Sequence, residues 1–155
     1  MRNILFICYG NICRSPTAEF LFNDAVKSRG LEKTFLGESA AVGDDNIKPD
    51  GSGYGVYPVC KRMLEARGID CSAKQARLLT KADSDKYELL LVMDKQNYRA
   101  ALRILGGDPQ GKVKPLTEYT GGGEVEDPWY TRNFDKVFAQ IEEAVNALLD
   151  ELTTK

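Results

Sequence analysis

Short apolar runs alternate with amphipathic stretches along this chain, and that alternation limits its fold more than any other feature. Residues 3–7 read as a buried strand. A helix follows, with Ser15 as the expected N-cap, Pro16 in its first turn, and Ala18, Leu21, Phe22 and Ala25 at helical spacing before Gly30. Residues 34–41 form a second strand. Residues 43–55, rich in Gly, Asp, Pro and Ser, form a long loop. Val59, Cys60, Met63 and Leu64 mark a helix stopped at Gly68. The clearest inner strand is 89–92. Asp94 caps the helix after it, which carries Tyr98, Ala101, Leu102 and Leu105 and ends at Gly106-Gly107. Residues 113–116 read as an edge strand, because Pro115 cannot donate to a ladder. Past the loop at Gly121-Gly122-Gly123, one apolar face runs from Phe134 through Val137, Phe138, Ile141, Val145, Leu148 and Leu149 to Leu152.

Strands separated by helices pair in parallel through right-handed crossovers. The expected fold class is therefore α/β: a small doubly wound, four-stranded parallel sheet with helices on both faces, in one domain spanning 1–155. Ligands in such folds bind beyond the carboxyl ends of the strands. That rule points to the loop after the first strand, residues 8–15.

Composition removes several function classes. The net charge is −2 with no basic stripe, so no nucleic acid is expected. The apolar runs are too short for a signal-peptide core or a bilayer span, so no membrane is expected and the chain reads as cytoplasmic. Its four cysteines are then expected to be mostly reduced, serving catalysis or redox sensing rather than a disulfide scaffold. There is no histidine. Cys-His and Ser-His catalysis are excluded, and any acid or base must be a carboxylate, Cys, Lys or Tyr. Cysteines at 8, 13, 60 and 71 lack the short paired spacings of a zinc site, so no metal is expected.

The string Cys8-Tyr9-Gly10-Asn11-Ile12-Cys13-Arg14-Ser15-Pro16 lies between a strand and a helix. A loop so placed turns successive backbone N–H groups inward and ends at a positive helix N-terminus, which suits an oxyanion. A cysteine beside that terminus and an arginine is favoured as its thiolate, the nucleophilic form. Arg14 offers a planar fork for two phosphoryl oxygens. Ser15 can donate to the thiolate, and Gly10 and Asn11 tolerate the positive φ of a tight cradle. Phosphoryl transfer also needs a proton for the leaving oxygen, and without histidine a carboxylate is the natural source. In Glu126-Asp127-Pro128-Trp129-Tyr130, Pro128 biases Asp127 to an extended backbone, and Trp129 and Tyr130 can wall a cleft for an aryl group. The plainer alternatives are a buried core thiol at Cys8, and a turn opening the last helix with Trp129 as core filling.

With Cys8-x5-Arg14-Ser15, Leu91-Val92-Met93-Asp94 and Asp127-Pro128-Trp129-Tyr130, the chain resembles the low-molecular-weight protein tyrosine phosphatase family over nearly its whole length. The resemblance implies a flavodoxin-like sheet and a two-step hydrolysis of phosphotyrosine in a protein, peptide or aryl phosphate, with inorganic phosphate as product. Cys8 would attack phosphorus, and Asp127 would protonate the phenol and then activate water. Arg14 and the backbone amides of Tyr9, Gly10, Asn11, Ile12, Cys13 and Arg14 would hold the phosphoryl oxygens. Asn11 would brace the loop and Ser15 would stabilise the thiolate. Ile12, Trp129 and Tyr130 would form the substrate cleft. The resemblance also implies no cofactor, and a monomer or weak dimer. In relatives the second loop cysteine can pair with the nucleophile, which carries a redox role to Cys13; its other reading is a small buried residue. Many relatives have a Trp-His pair in the loop after the second strand. Here that stretch lacks histidine, and Tyr54 or Tyr57 is the candidate wall.

Three rivals stay open at this point. An arsenate reductase needs further cysteines between Met93 and Arg103, and there are none; Cys60 and Cys71 read as structural thiols. An arginine phosphatase tends to carry threonine where Ile12 stands. A non-catalytic phosphate or flavin module has no use for both Arg14 and Asp127.

Overall fold

The computed structural model describes residues 1–154. Four strands, β1 (Arg2–Cys8), β2 (Phe35–Ala41), β3 (Leu89–Val92) and β4 (Val113–Pro115), form one parallel sheet in the order β2-β1-β3-β4. Six helices accompany it: α1 (Arg14–Ser28), α2 (Pro58–Glu65), α3 (Asp83–Lys86), α4 (Lys95–Leu105), α5 (Pro128–Thr131) and α6 (Phe134–Thr153). A 3₁₀ turn spans Leu116–Thr120. The doubly wound α/β sheet expected from the sequence is present. The short α3, α5 and the 3₁₀ turn carry no periodicity long enough to read in advance.

β1 is buried from Ile4 to Cys8 because both faces are covered. The pleat then divides its side chains. Ile4 and Phe6 enter a core with Leu21, Phe22 and Val26 of α1 and Ile141, Val145 and Leu148 of α6. Leu5 and Ile7 enter a second core with Leu90 and Val92 of β3 and Ala101 and Leu105 of α4. Helix α1 is pinned to β2 as well as packed on it. Asn23 accepts from Gly37 N at 2.8 Å and donates to Gly37 O at 2.9 Å. Position 37 needs glycine, since a Cβ there would lie 2.8 Å from the Phe22 ring.

Two expected stops are present in detail. Asp94 caps α4 by accepting from Asn97 N, and Gly106 ends it in the left-handed conformation. β4 is one of the two edge strands, which lets Pro115 sit where one missing donor costs little. Among the described residues, no helix is long and apolar enough to cross a membrane.

The topology places the site. From β1 the chain goes to β2 on one side, then crosses to β3 on the other. The loops leaving β1 and β3 therefore diverge and open a crevice at their carboxyl ends. Cys8 ends one strand, and Met93-Asp94 follows the other.

Leu148, fully buried between α6 and the sheet, should be the costliest kind of truncation. Leu148→Ala is expected to lower unfolding free energy by about 2–5 kcal/mol, read from urea denaturation.

Candidate active site

The five residues after Cys8 curl around its sulfur. The backbone amides of Asn11 and Ser15 point at Sγ from 3.3 and 3.4 Å, and Ser15 Oγ lies 2.9 Å away. The same oxygen accepts from Asn11 Nδ2 at 2.8 Å, and its single hydrogen is free to point at the sulfur. Cys8 is buried, yet it lines the floor of an open cleft. It is not a thiol sealed in the hydrophobic interior.

The expected N-cap role of Ser15 is corrected by this arrangement. Helix α1 begins at Arg14, and Cys13 holds the cap position without a side-chain bond. The hydroxyl of Ser15 is taken by the sulfur instead. Pro16 stays in the first turn, where its missing N–H costs nothing.

Asn11 adopts a φ of 56°, as a tight cradle requires. Gly10 does not share that conformation. Its lack of a side chain serves a close approach: a Cβ there would lie 2.6 Å from Asn46 Nδ2, which donates to Gly10 O at 3.1 Å. Buried Asn11 uses both ends of its amide. Nδ2 also donates to Ser39 Oγ at 2.9 Å, and Oδ1 accepts from Arg77 N at 3.1 Å. Ser39 donates onward to Glu19 at 2.5 Å, and Glu19 pairs with Lys74 at 3.4 Å. Burial pushes the Glu19 carboxyl up and pulls the Lys74 ammonium down, with each partner opposing the shift in the other. Asn11 was expected to brace the loop, but its partners Ser39 and Arg77, and Glu19 and Lys74 behind them, were not candidates from the sequence. The available signal was a buried serine inside an apolar strand end.

Arg14 is 3% exposed. Its Nη1 donates to Asp94 Oδ2 at 2.8 Å and to Val125 O at 2.9 Å, and its Nη2 lies 3.5 Å from Asp127 Oδ2. Burial alone would weaken the protonated guanidinium. Negative charge at Cys8, Asp94 and Asp127 outweighs that and holds its pKa above the ordinary value. Asp94 was read only as a helix cap. It has two functions, Oδ1 capping α4 and Oδ2 anchoring Arg14.

The cleft above Cys8 has a volume of about 220 Å³. Ile12, Asp127, Trp129, Tyr130 and Tyr57 line it. Trp129 is 55% and Tyr130 81% exposed, so neither is core filling. Of the two candidate tyrosines, Tyr57 is the wall: its ring meets Trp129 edge-on at 5.4 Å and stacks on Phe134 at 5.8 Å. Tyr54 faces outward under the Lys48 ammonium, 5.0 Å from its ring centroid. Tyr9 forms the opposite rim. Its hydroxyl donates to Asp45 at 3.0 Å, and its ring lies over Gly43, where a Cβ would come within 2.5 Å. Asp45, Asn46 and Phe134, which also line the cleft, were not sequence candidates; the long loop that carries the first two has no periodicity to read.

Asp127 has the extended backbone expected before proline, with φ −85° and ψ 109°. Its Oδ1 accepts from Trp129 N at 3.0 Å, which fixes the carboxylate at the rim. In this structure the Cys13 sulfur is joined to Cys60 of α2, while Cys8 is free. Cys60 is thus not an isolated structural thiol. Cys71 is one, buried and with its pKa raised by that burial.

Comparison with known proteins agrees with this geometry. The family model described as "Low molecular weight phosphotyrosine protein phosphatase" matches residues 3–155. The chain is 32% identical over 152 residues to the low molecular weight protein-tyrosine-phosphatase YfkJ of Bacillus subtilis, covering 96% of this chain and 94% of that one. It is 30% identical over 167 residues to the low molecular weight phosphotyrosine protein phosphatase of Sus scrofa, covering 97% and 96%. The crystal structure of YfkJ superposes with a TM-score of 0.89 over 98% of this chain and 94% of that one. That of Vibrio vulnificus Wzb in complex with benzylphosphonate superposes with a TM-score of 0.82 at 25% identity, over 97% and 98%. With a match that runs nearly from end to end, the chain belongs to the low-molecular-weight phosphotyrosine protein phosphatase family.

Proposed function

We propose that this enzyme hydrolyses phosphotyrosine through a phosphocysteine intermediate on Cys8, within one domain spanning 1–155. One observation carries the reading. The Cys8 sulfur lies at the floor of an aromatic-walled cleft, and two backbone amides and one hydroxyl are aimed at it. Such a sulfur is within reach of a substrate, and the donors aimed at it are placed to bond negative charge that arises there.

The phosphoryl group of a phosphotyrosine enters with its dianion toward the loop amides of residues 9–14 and the Arg14 guanidinium. Cys8 Sγ attacks phosphorus, and the P–O bond to the phenol breaks. Asp127 gives its proton to the departing phenolate oxygen. Its place at the rim, on the cleft that Trp129 and Tyr130 also line, supports that role. In the second step a water attacks the phosphocysteine and Asp127 takes the proton. The P–S bond breaks, and Cys8 returns as thiolate with inorganic phosphate as product. Ser15 donates to the sulfur both before attack and as it leaves. Asp94 holds one edge of Arg14, so the guanidinium needs no reorientation as charge moves.

Tyr57, Trp129 and Tyr130 suit an aryl ring better than an alkyl chain, and the apolar Ile12 adds to that wall. The substrate is therefore a phosphotyrosine side chain on a protein or peptide, and the enzyme acts as a monomer or weak dimer.

Cys8→Ser is expected to lower turnover of p-nitrophenyl phosphate by roughly 10⁴-fold or more while inorganic phosphate still binds by calorimetry. Substantial residual turnover rules out Cys8 as nucleophile. Asp127→Ala should cost about 10²–10⁴-fold with phenyl phosphate, a poor leaving group, and much less with an activated aryl phosphate. Equal slowing of both substrates removes Asp127 as the general acid.

A further inference from the structure

Cys13 has a partner that the phosphatase reaction does not use. Cys60, in the first turn of α2, is paired with it across a Cα–Cα distance of 5.9 Å. That separation lies within what a disulfide spans without moving the backbone. Cys60 is buried, and Cys13 is half-buried on the cleft wall. The same junction carries a second link, from Tyr57 N to Ile12 O at 2.8 Å. Two adjacent residues of the phosphate loop are thus tied to the start of α2, the segment that presents Tyr57 to the cleft. Cys8 takes no part, since its sulfur is engaged by Ser15 and two amides.

We propose that Cys13 and Cys60 are a redox latch, the site where this chain takes up and releases a disulfide, separate from its nucleophile. The structure shows the latch closed. Closing by a low-molecular-weight disulfide such as oxidised glutathione takes two exchanges. One protein thiolate attacks a glutathione sulfur, the S–S bond of glutathione breaks, and one reduced glutathione leaves. The second protein thiol then loses its proton and displaces the other glutathione as the Cys13–Cys60 bond forms. Two protein thiols are oxidised, and one glutathione disulfide becomes two thiols.

The closed latch leaves Cys8 able to react but removes Cys13, the other sulfur of the loop. Under hydrogen peroxide, the Cys8 thiolate takes one oxygen to become a sulfenic acid, releasing hydroxide. With Cys13 reduced, its thiol condenses with that sulfenic acid, water leaves, and the resulting disulfide is recoverable. With Cys13 held by Cys60, a second peroxide carries Cys8 to the sulfinic acid, which dithiols do not reverse. Cys60 thereby sets whether oxidation of the nucleophile is recoverable. This consequence rests on the reading of Cys8 as nucleophile; the latch itself does not.

The test has two arms on the full chain. In the first, reduced protein is treated with oxidised glutathione while inorganic phosphate fills the cleft. Free thiols are alkylated and the digest is read by tandem mass spectrometry. A Cys13–Cys60 cross-link with alkylated Cys8 is expected, and p-nitrophenyl phosphate turnover should stay within about twofold once phosphate is removed. A Cys8–Cys13 cross-link, or Cys13 and Cys60 both recovered as free thiols, overturns the latch, whatever the outcome of the Cys8→Ser assay. In the second arm, latched wild type and Cys60→Ser are inactivated by peroxide and then treated with dithiothreitol. More than about half the activity should return in Cys60→Ser and less than about a tenth in latched wild type. Equal recovery overturns the role of Cys60. Cys60→Ala serves where serine in that buried place prevents folding.

Discussion

Between the last residue of β1 and the first of α1 the chain has five residues in which to bring its amides onto one sulfur atom. The turn closes only because Asn11 accepts a left-handed backbone, and it stays closed because the Asn11 amide is bonded on every side. Left-handed backbone at a non-glycine residue costs free energy, and it persists where the surroundings over-determine it. Here Ser15, Ser39 and the Arg77 amide are those surroundings. The ring of donors around Cys8 is therefore set before any substrate arrives, which is the condition under which fixed dipoles stabilise charge most effectively.

A buried arginine beside that ring needs its own support. Arg14 is almost wholly removed from water, and a lone guanidinium there would carry a large desolvation penalty. Asp94 supplies the counter-charge from across the switch point of the sheet, and Val125 adds a carbonyl. The order β2-β1-β3-β4 is what makes this possible, since it sets the ends of β1 and β3 side by side. The fold and the phosphate clamp thus depend on the same crossover. Asp94 also caps α4, so the placement of that helix and of the guanidinium are coupled through one carboxylate.

The cleft walls have a looser origin. Tyr57, just before α2, holds Trp129 of α5 and Phe134 of α6 by ring contacts. Tyr9 is held on the other side by Asp45 and by the absence of a side chain at Gly43. These residues lie in loops and helix starts, where the chain varies most readily without disturbing the sheet. The chemistry at the floor and the shape of the rim are in that sense separate parts of the molecule.

Much was legible along the chain because it depends on local spacing. Strand 89–92, the Asp94 cap, the edge position of Pro115, the long face of α6 and the loop from Cys8 to Ser15 each follow from neighbours within a few residues. The extended backbone of Asp127 follows from Pro128 in the same way. What the sequence could not decide were pairings across long separations. Asp94 lies 80 residues from Arg14 and Cys60 lies 47 from Cys13. No periodicity marks such partners. Ser15 was misassigned for a related reason: as a cap it would have satisfied its own helix, but the folded loop brings a sulfur closer than any free backbone amide. Local propensity sets where strands and helices begin, whereas the partners of buried polar groups are chosen only when the sheet has closed and water has been excluded from between them.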